Sequence, residues 1–256
     1  MVNLTPRRTF KVRRWERCVP SPAFRRLRLP ALYVMISVNI LSSEIVAPNG
    51  AVPASATGVM LPVMEQFYTI QGEGYNTGRA AYFIRLGGCD VGCVWCDVKE
   101  SWDADAHPRQ SVAQLVAAVL AYPGRDVVIT GGEPLMHELG PLTAALHAAG
   151  CRTWLETSGA HPLSGTWDWI CLSPKKFKAP LTEVLAVAHE LKVVVFNSHD
   201  FAWAEEHAAL VPATTRLYLQ PEWSRAARMT PELVEYVKQH PRWQVSLQTH
   251  KYLDIP

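Results

Sequence analysis

The sequence predicts an α/β fold, an incomplete, TIM-like barrel of about six parallel strands. Three observations predict it. Apolar strand-like runs alternate with helical patterns from residue 60 onward, the signature of βα units. The segment 60–256 is shorter than the about 250 residues that a closed eight-fold barrel typically needs. Finally, the polar and reactive residues recur where runs end, as they do at the carboxyl ends of strands in such sheets.

In chain order, the first strand is expected at 80–86, where AAYFIRL is apolar but for one arginine. Ser111 then caps an apolar periodic run through Tyr122. Strands follow at 126–130 and 152–156, and a further one at 168–172. Thr182 opens a helix expected to run through Leu191, ahead of strands at 192–196 and 216–220. Thr230, Pro231 and Glu232 supply a cap, a first-turn proline and a first-turn acid before a helix over 233–240, and a last strand is expected at 243–248.

With 48% hydrophobic residues, the 256-residue chain can bury a full core, and one catalytic domain over 60–256 is expected. The net charge of +2 conceals an asymmetry. Residues 1–59 hold nine basic groups against two acids, which leaves 16 basic against 21 acidic groups in the rest, a balance of −5. The catalytic part therefore lacks the basic surplus of a nucleic-acid binder. Residues 1–59 are expected to be a poorly ordered extension, the product of a mis-called start, with Met60 or Met64 as the true beginning. A signal peptide fits the order of basic, apolar and small residues, but the basic region is too long for one. Ser37, Asn39, Ser42, Ser43 and Glu44 interrupt any run of the about 20 apolar residues that a membrane span requires.

Of six cysteines, three stand in Cys89-Asp-Val-Gly-Cys93-Val-Trp-Cys96, directly after the first strand. This tight cluster, with Cys18, Cys151 and Cys171 scattered, is unlike a secreted disulfide framework and points to a reducing, cytoplasmic setting. A cubane iron–sulfur cluster takes four thiolates, so three on one loop either recruit a distant fourth ligand or leave one iron open to a small molecule. A structural zinc site is the competing reading, but zinc ligands come as Cys-x2-Cys pairs from two segments and no second pair exists.

The other motifs sit on the same rim: Gly131-Gly-Glu-Pro134, Glu156-Thr-Ser-Gly159, Ser173-Pro-Lys175 and Gln220-Pro221. Individually each has a plainer explanation: Gly131 and Gly132 as a strand-to-helix turn, Lys175 as part of a solvated charge run, Glu156 as a strand-end residue paired with an arginine.

Taken together, Cys-x3-Cys-x2-Cys after a strand and Gly-Gly-Glu-Pro after the next resemble the radical S-adenosylmethionine (SAM) superfamily. More narrowly, Gln71-Gly-Glu-Gly74, Phe83-Ile-Arg-Leu86, Cys96-Asp97, Thr130-Gly-Gly-Glu-Pro134, Glu156-Thr-Ser-Gly159, Ser173-Pro-Lys175 and the tail 247–256 resemble the 7-carboxy-7-deazaguanine synthase family. The resemblance implies a radical SAM fold, a 4Fe–4S cluster on Cys89, Cys93 and Cys96, and S-adenosylmethionine on the open iron. It implies that one electron splits that sulfonium to methionine and a 5′-deoxyadenosyl radical, which contracts 6-carboxy-5,6,7,8-tetrahydropterin to 7-carboxy-7-deazaguanine with loss of ammonia, in queuosine or other deazapurine biosynthesis.

Carried over to this chain, the resemblance sets Trp95, Cys96 and Asp97 along the cofactor. Gly132 and Glu133 face its methionyl part, and Ser173, Pro174, Lys175 and Gln220 hold its ribose or carboxylate, with Pro221, Glu222 and Trp223 alongside. For the pterin it implies Ile70, Gln71, Gly72 and Glu73 at the alternating edge, Arg85 on the carboxylate, and Thr130, His250 and Pro256 completing the pocket. A guanidinium can give a carboxylate two parallel hydrogen bonds where lysine cannot. The family also uses magnesium, bound by a threonine hydroxyl where this chain has Val98, so the metal loses a side-chain ligand that Asp97, Ser101 or extra waters would have to replace, and its use here is in question. A flavodoxin-like or other one-electron donor and a homodimer are further implications. Two rival readings are a glycyl-radical activating enzyme, with an open peptide groove, and a non-catalytic iron–sulfur or zinc module.

Overall fold

The structure, a computed structural model, describes residues 58–256. The expectations for the N-terminal extension, and for Cys18, otherwise fall outside the described residues.

Strand β1 (Met60–Ile70) turns back through 71–79 into β2 (Ala80–Leu86), and the two pair antiparallel with Phe67 opposite Phe83. The turn is closed by Gln71 N donating to Arg79 O at 2.8 Å and Gly78 N to Gln71 O at 2.8 Å. A short edge strand, β3 (Arg109–Ser111), pairs with the start of β1 and leads into α1 (Val112–Leu120). There Ser111 caps as expected: its hydroxyl accepts from Gln114 N while Gln114 Oε1 accepts from Ser111 N, a reciprocal capping box. Next come β4 (Asp126–Gly131), α2 (Gly140–Ala148), β5 (Arg152–Thr157), β6 (Trp169–Leu172), α3 (Thr182–Leu185), β7 (Glu190–Val195), α4 (Asp200–Ala208), β8 (Arg216–Pro221), α5 (Ala226–Gln239), β9 (Trp243–Val245) and α6 (Thr249–Leu253).

These strands form one open sheet in the order β3-β1-β2-β4-β5-β6-β7-β8-β9, with every pairing from β2 to β9 parallel. The incomplete barrel is thus borne out. Its parallel series has seven members rather than about six, the last only three residues long.

Side chains alternate across a strand, and here the alternation sorts core from site. Ile84, Ile129, Leu155, Leu172, Leu191, Val193 and Leu219 point outward into one buried apolar layer beneath the helices, joined there by Leu115, Leu142 and Leu146. Their inward neighbours are Arg85, Thr130, Glu156, Cys171, Lys192 and Gln220. One strand after another therefore delivers a polar or reactive group to the same concave face.

Three expectations need correction. The helix expected over 182–191 is a single turn, α3, because the chain is already strand at Glu190. That strand's first inward residues, Glu190 and Lys192, are polar, which hides its apolar run. Helix α5 starts at Ala226, four residues before the expected cap; Ala226 to Met229 favour helix and Met229 is fully buried, so Pro231 lies inside the helix instead of opening it. The last strand ends at Val245 because Ser246 and Gln248 turn inward to bond Gln220 and Glu73.

Candidate active site

Two cavities, of about 230 and about 180 Å³, open on the concave face and share Glu73, Arg85, Asp97, Val98, Thr130, Glu156 and Gln248. The larger lies at the carboxyl-end rim and the smaller is closed on one side by the turn between β1 and β2.

Cys89, Cys93 and Cys96 all line the larger cavity. Their loop is fixed by backbone bonds, Cys89 N to Trp102 O at 3.0 Å and Cys96 N to Cys93 O at 3.1 Å, and by Asp90, whose oxygens bond His161 Nε2 at 2.9 Å and Lys178 Nζ at 2.7 Å. The Lys178 hydrogen bond, with that of His161, holds the Asp90 carboxyl below its ordinary range. Burial pushes the Cys93 thiol up, opposed by nearby Lys175. No fourth cysteine lines this cavity among the described residues, so three thiolates and an open corner are what the donor set can offer a cubane cluster.

The two glycines after β4 serve close approach. A Cβ on Gly132 would lie 2.2 Å from Gly88 O and 2.8 Å from Cys89 Cβ, and one on Gly131, at φ +135°, would lie 2.1 Å from Leu86 O. They let the end of β4 pack against the root of the cysteine loop, more than a strand-to-helix turn needs. Glu133, 1% exposed, is held by Ser158 N at 2.8 Å, by the Ser158 and Thr157 hydroxyls at 2.5 Å each, and by Leu135 N at 3.1 Å. Its oxygens thus lock the turn to the end of β5 while it borders the cavity. Trp95, Asp97, Ser173, Lys175, Gln220, Pro221, Glu222 and Trp223 line the same space; Pro174 is buried and lines neither cavity. Lys175 Nζ donates to Ser173 Oγ and O at 2.6 Å and lies 5.8 Å from the Trp95 ring centre, and burial pulls its pKa down.

The smaller cavity collects all eight residues expected at the pterin: Ile70, Gln71, Gly72, Glu73, Arg85, Thr130, His250 and Pro256. Two of the carboxylates the cavities share, Glu73 and Glu156, are joined by a cation on the wall of the larger one that the sequence does not single out. Lys192, 4% exposed, bonds Glu73 Oε2 at 2.7 Å and Glu156 Oε2 at 2.9 Å, so Glu156 pairs with lysine and not with an arginine. Gln248 Nε2 donates to Glu73 Oε1 at 2.9 Å, and Gln71 Nε2 donates to Glu156 Oε1 at 3.2 Å. Burial alone would raise Glu73, but Lys192 and the Gln248 hydrogen bond outweigh it and bring the carboxyl down to about 2. Arg85 uses Nε on Glu65 at 2.6 Å, the anionic partner that a half-buried arginine requires. His250 packs on Gly72, where a Cβ would lie 2.3 Å from its Nδ1, and burial lowers its pKa. A lysine directly ahead of the apolar run Val193-Val194-Val195 is the available signal for Lys192, and Gln248 falls within the tail 247–256 that carries the family resemblance.

A model of the radical SAM superfamily matches residues 83–172. The chain is 57% identical to 7-carboxy-7-deazaguanine synthase of Flavobacterium psychrophilum over 78% of this chain and 94% of that protein. It is 50% identical to the enzyme of the same name from a Synechocystis species, over 77% and 94%. The crystal structure of QueE from Escherichia coli superposes with a TM-score of 0.67 at 34% identity, covering 73% of this chain and 93% of that one. Matches of this extent, on the sheet and cavities just described, place the chain in the 7-carboxy-7-deazaguanine synthase family of the radical SAM superfamily.

Proposed function

We infer that this chain is a 7-carboxy-7-deazaguanine synthase, a radical SAM lyase that contracts the ring of 6-carboxy-5,6,7,8-tetrahydropterin and releases ammonia. The observation that carries the reading is the continuity of the two cavities. A three-thiol pocket opens through Arg85, Thr130 and Val98 into a pocket rich in amide, carboxylate and cation.

The superfamily implies a 4Fe–4S cluster and S-adenosylmethionine, and the three thiols with an open corner fit them. When bound, this pair supplies a hydrogen-abstracting radical. The protein's residues do the rest. Trp95 offers an aromatic face for adenine, Lys175 and Gln220 offer donors and an acceptor for ribose or carboxylate, and Gly132 keeps side-chain bulk away from the methionyl end. In the smaller cavity, the Glu73 and Glu156 side chains accept from the pterin's amino edge, backbone groups of Ile70 and Gly72 pair its alternating donors and acceptors, and Arg85 receives its carboxylate.

The residues at position 98 do not fit magnesium. Val98 has no oxygen, Ser101 is fully buried with its hydroxyl donating to Val98 O at 2.7 Å, and Asp97 is paired with Lys251 at 3.0 Å. No step here is routed through that ion. An external one-electron donor of flavodoxin type, a homodimer and a reducing cytoplasmic setting belong to the same reading.

Anaerobic reconstitution with dithionite, S-adenosylmethionine and the carboxypterin, followed by mass analysis, tests it. Formation of 7-carboxy-7-deazaguanine supports the reading. Deoxyadenosine without that product would point instead to an activating enzyme, and absence of both to a binding module.

A further inference from the structure

Glu190, the first residue of β7, lies on the concave face two positions before Lys192 and is 2% exposed. Its Oε2 accepts from Tyr75 N at 3.2 Å and from Trp169 Nε1 at 3.0 Å. Its Oε1 is buried without a hydrogen-bond partner and occupies the space a side chain at position 74 would need: a Cβ on Gly74, at φ +64°, would lie 1.9 Å from it. Beside it, Gly74 N donates to Ser246 Oγ at 2.9 Å, and that hydroxyl donates on to Gln220 Oε1 at 2.7 Å. A buried acceptor left unmet costs stability, and natural cores rarely keep one without use.

The turn so gripped is the one whose first three residues, Gln71 to Glu73, line the smaller cavity. We propose that Glu190 is a positioning residue for the pterin: by holding the backbone at Gly74 and Tyr75 it sets where Gln71, Gly72 and Glu73 stand against the substrate. The proposal rests on the pterin reading of that cavity.

The carboxylate is also placed to make this grip depend on pH. Lys192 faces it from its own strand, Glu156 from β5, Cys171 from β6, Tyr218 and Arg216 from β8, and the Tyr75 amide from the turn. Burial, reinforced by Glu156 and opposed by Lys192, pushes its pKa up to about 7. Below that value the group is protonated and a weaker acceptor for Tyr75 N; above it the charged form holds the turn firmly.

The test is equilibrium affinity for the carboxypterin, with KM and kcat, for wild type and Glu190→Gln from about pH 6 to about pH 8, on proteins whose thermal unfolding confirms the fold. Wild-type affinity should tighten at least about fivefold with rising pH, with an inflection near 7, and Glu190→Gln should lose the inflection while KM shifts more than kcat. If Glu190→Gln proves unstable, Ser246→Ala should weaken pterin affinity while leaving the inflection in place. An inflection that survives in Glu190→Gln, or wild-type binding flat with pH, overturns the proposal. Failure of wild type to bind the pterin at any pH overturns the substrate reading itself.

Discussion

Lys192 Nζ stands 2.7 Å from Glu73 Oε2 inside the barrel, one ammonium between two carboxylates with only 5% of its side chain exposed. Removing the cation would leave the Glu73 and Glu156 carboxyl groups on the cavity wall without the partner they share. Lys192→Met should therefore cost about 3 to 5 kcal/mol of stability, as broken buried pairs do. Chemical denaturation checks the loss; a change below about 1 kcal/mol would mean that water already screens the site.

The same pair sets an acid limb. Glu73 is held at about 2 against an ordinary 4.5, a depressed carboxylate pKa, so its stabilisation is complete above the ordinary value and is lost as pH falls from about 4.5 toward 2. The shift corresponds to about 3 kcal/mol. Glu73→Gln should flatten stability across that window, and a titration of unfolding free energy that keeps the wild-type slope would contradict the pairing.

Why the parallel series was legible and β1 was not comes down to which faces are buried. Strands β4 and β5 pack on both sides, so runs such as Val127-Val128-Ile129 are continuously apolar. Strand β1 is next to the edge and only half-buried, with Pro62, Glu65 and Gln66 breaking its pattern, and it reads as loop. The site divides in the same way. Groups at strand ends, Cys89, Gly132 and Ser173, announced themselves by spacing. Glu190 and Lys192 sit in the first half of strand β7, where their polarity blurs a strand into the tail of a helix, and only the sheet brings them beside the turn at 71–79.

The rim motif makes a steric prediction. Gly132→Ala places a methyl 2.2 Å from Gly88 O and against Cys89, where backbone and not a flexible side chain must move. The expected result is a loss of about 2 kcal/mol or more, with poor iron uptake on reconstitution. Gly150→Ala, whose Cβ meets nothing within 4 Å but whose φ is +76°, is the control for backbone strain alone and should bind iron normally. Equal iron content in the two variants would show that the contact with the cysteine loop is dispensable.

Position 98 gives the last prediction. A hydroxyl there could ligate a divalent ion facing the substrate carboxylate, and Val98 offers the shape without the oxygen. Its two oxygen-bearing neighbours are already engaged, Ser101 donating to Val98 O and Asp97 Oδ2 accepting from Lys251. The substrate carboxylate is then left to Arg85, whose Nε is anchored on Glu65 and whose side chain borders both cavities. Carboxypterin affinity should not change when magnesium is removed with a chelator, and Arg85→Met should weaken it by about tenfold or more. Val98→Thr should introduce a magnesium-dependent gain absent from the wild type. If chelation loosens substrate binding in the wild-type protein, an ion is held there by ligands other than residue 98, and Arg85 does not carry the carboxylate alone.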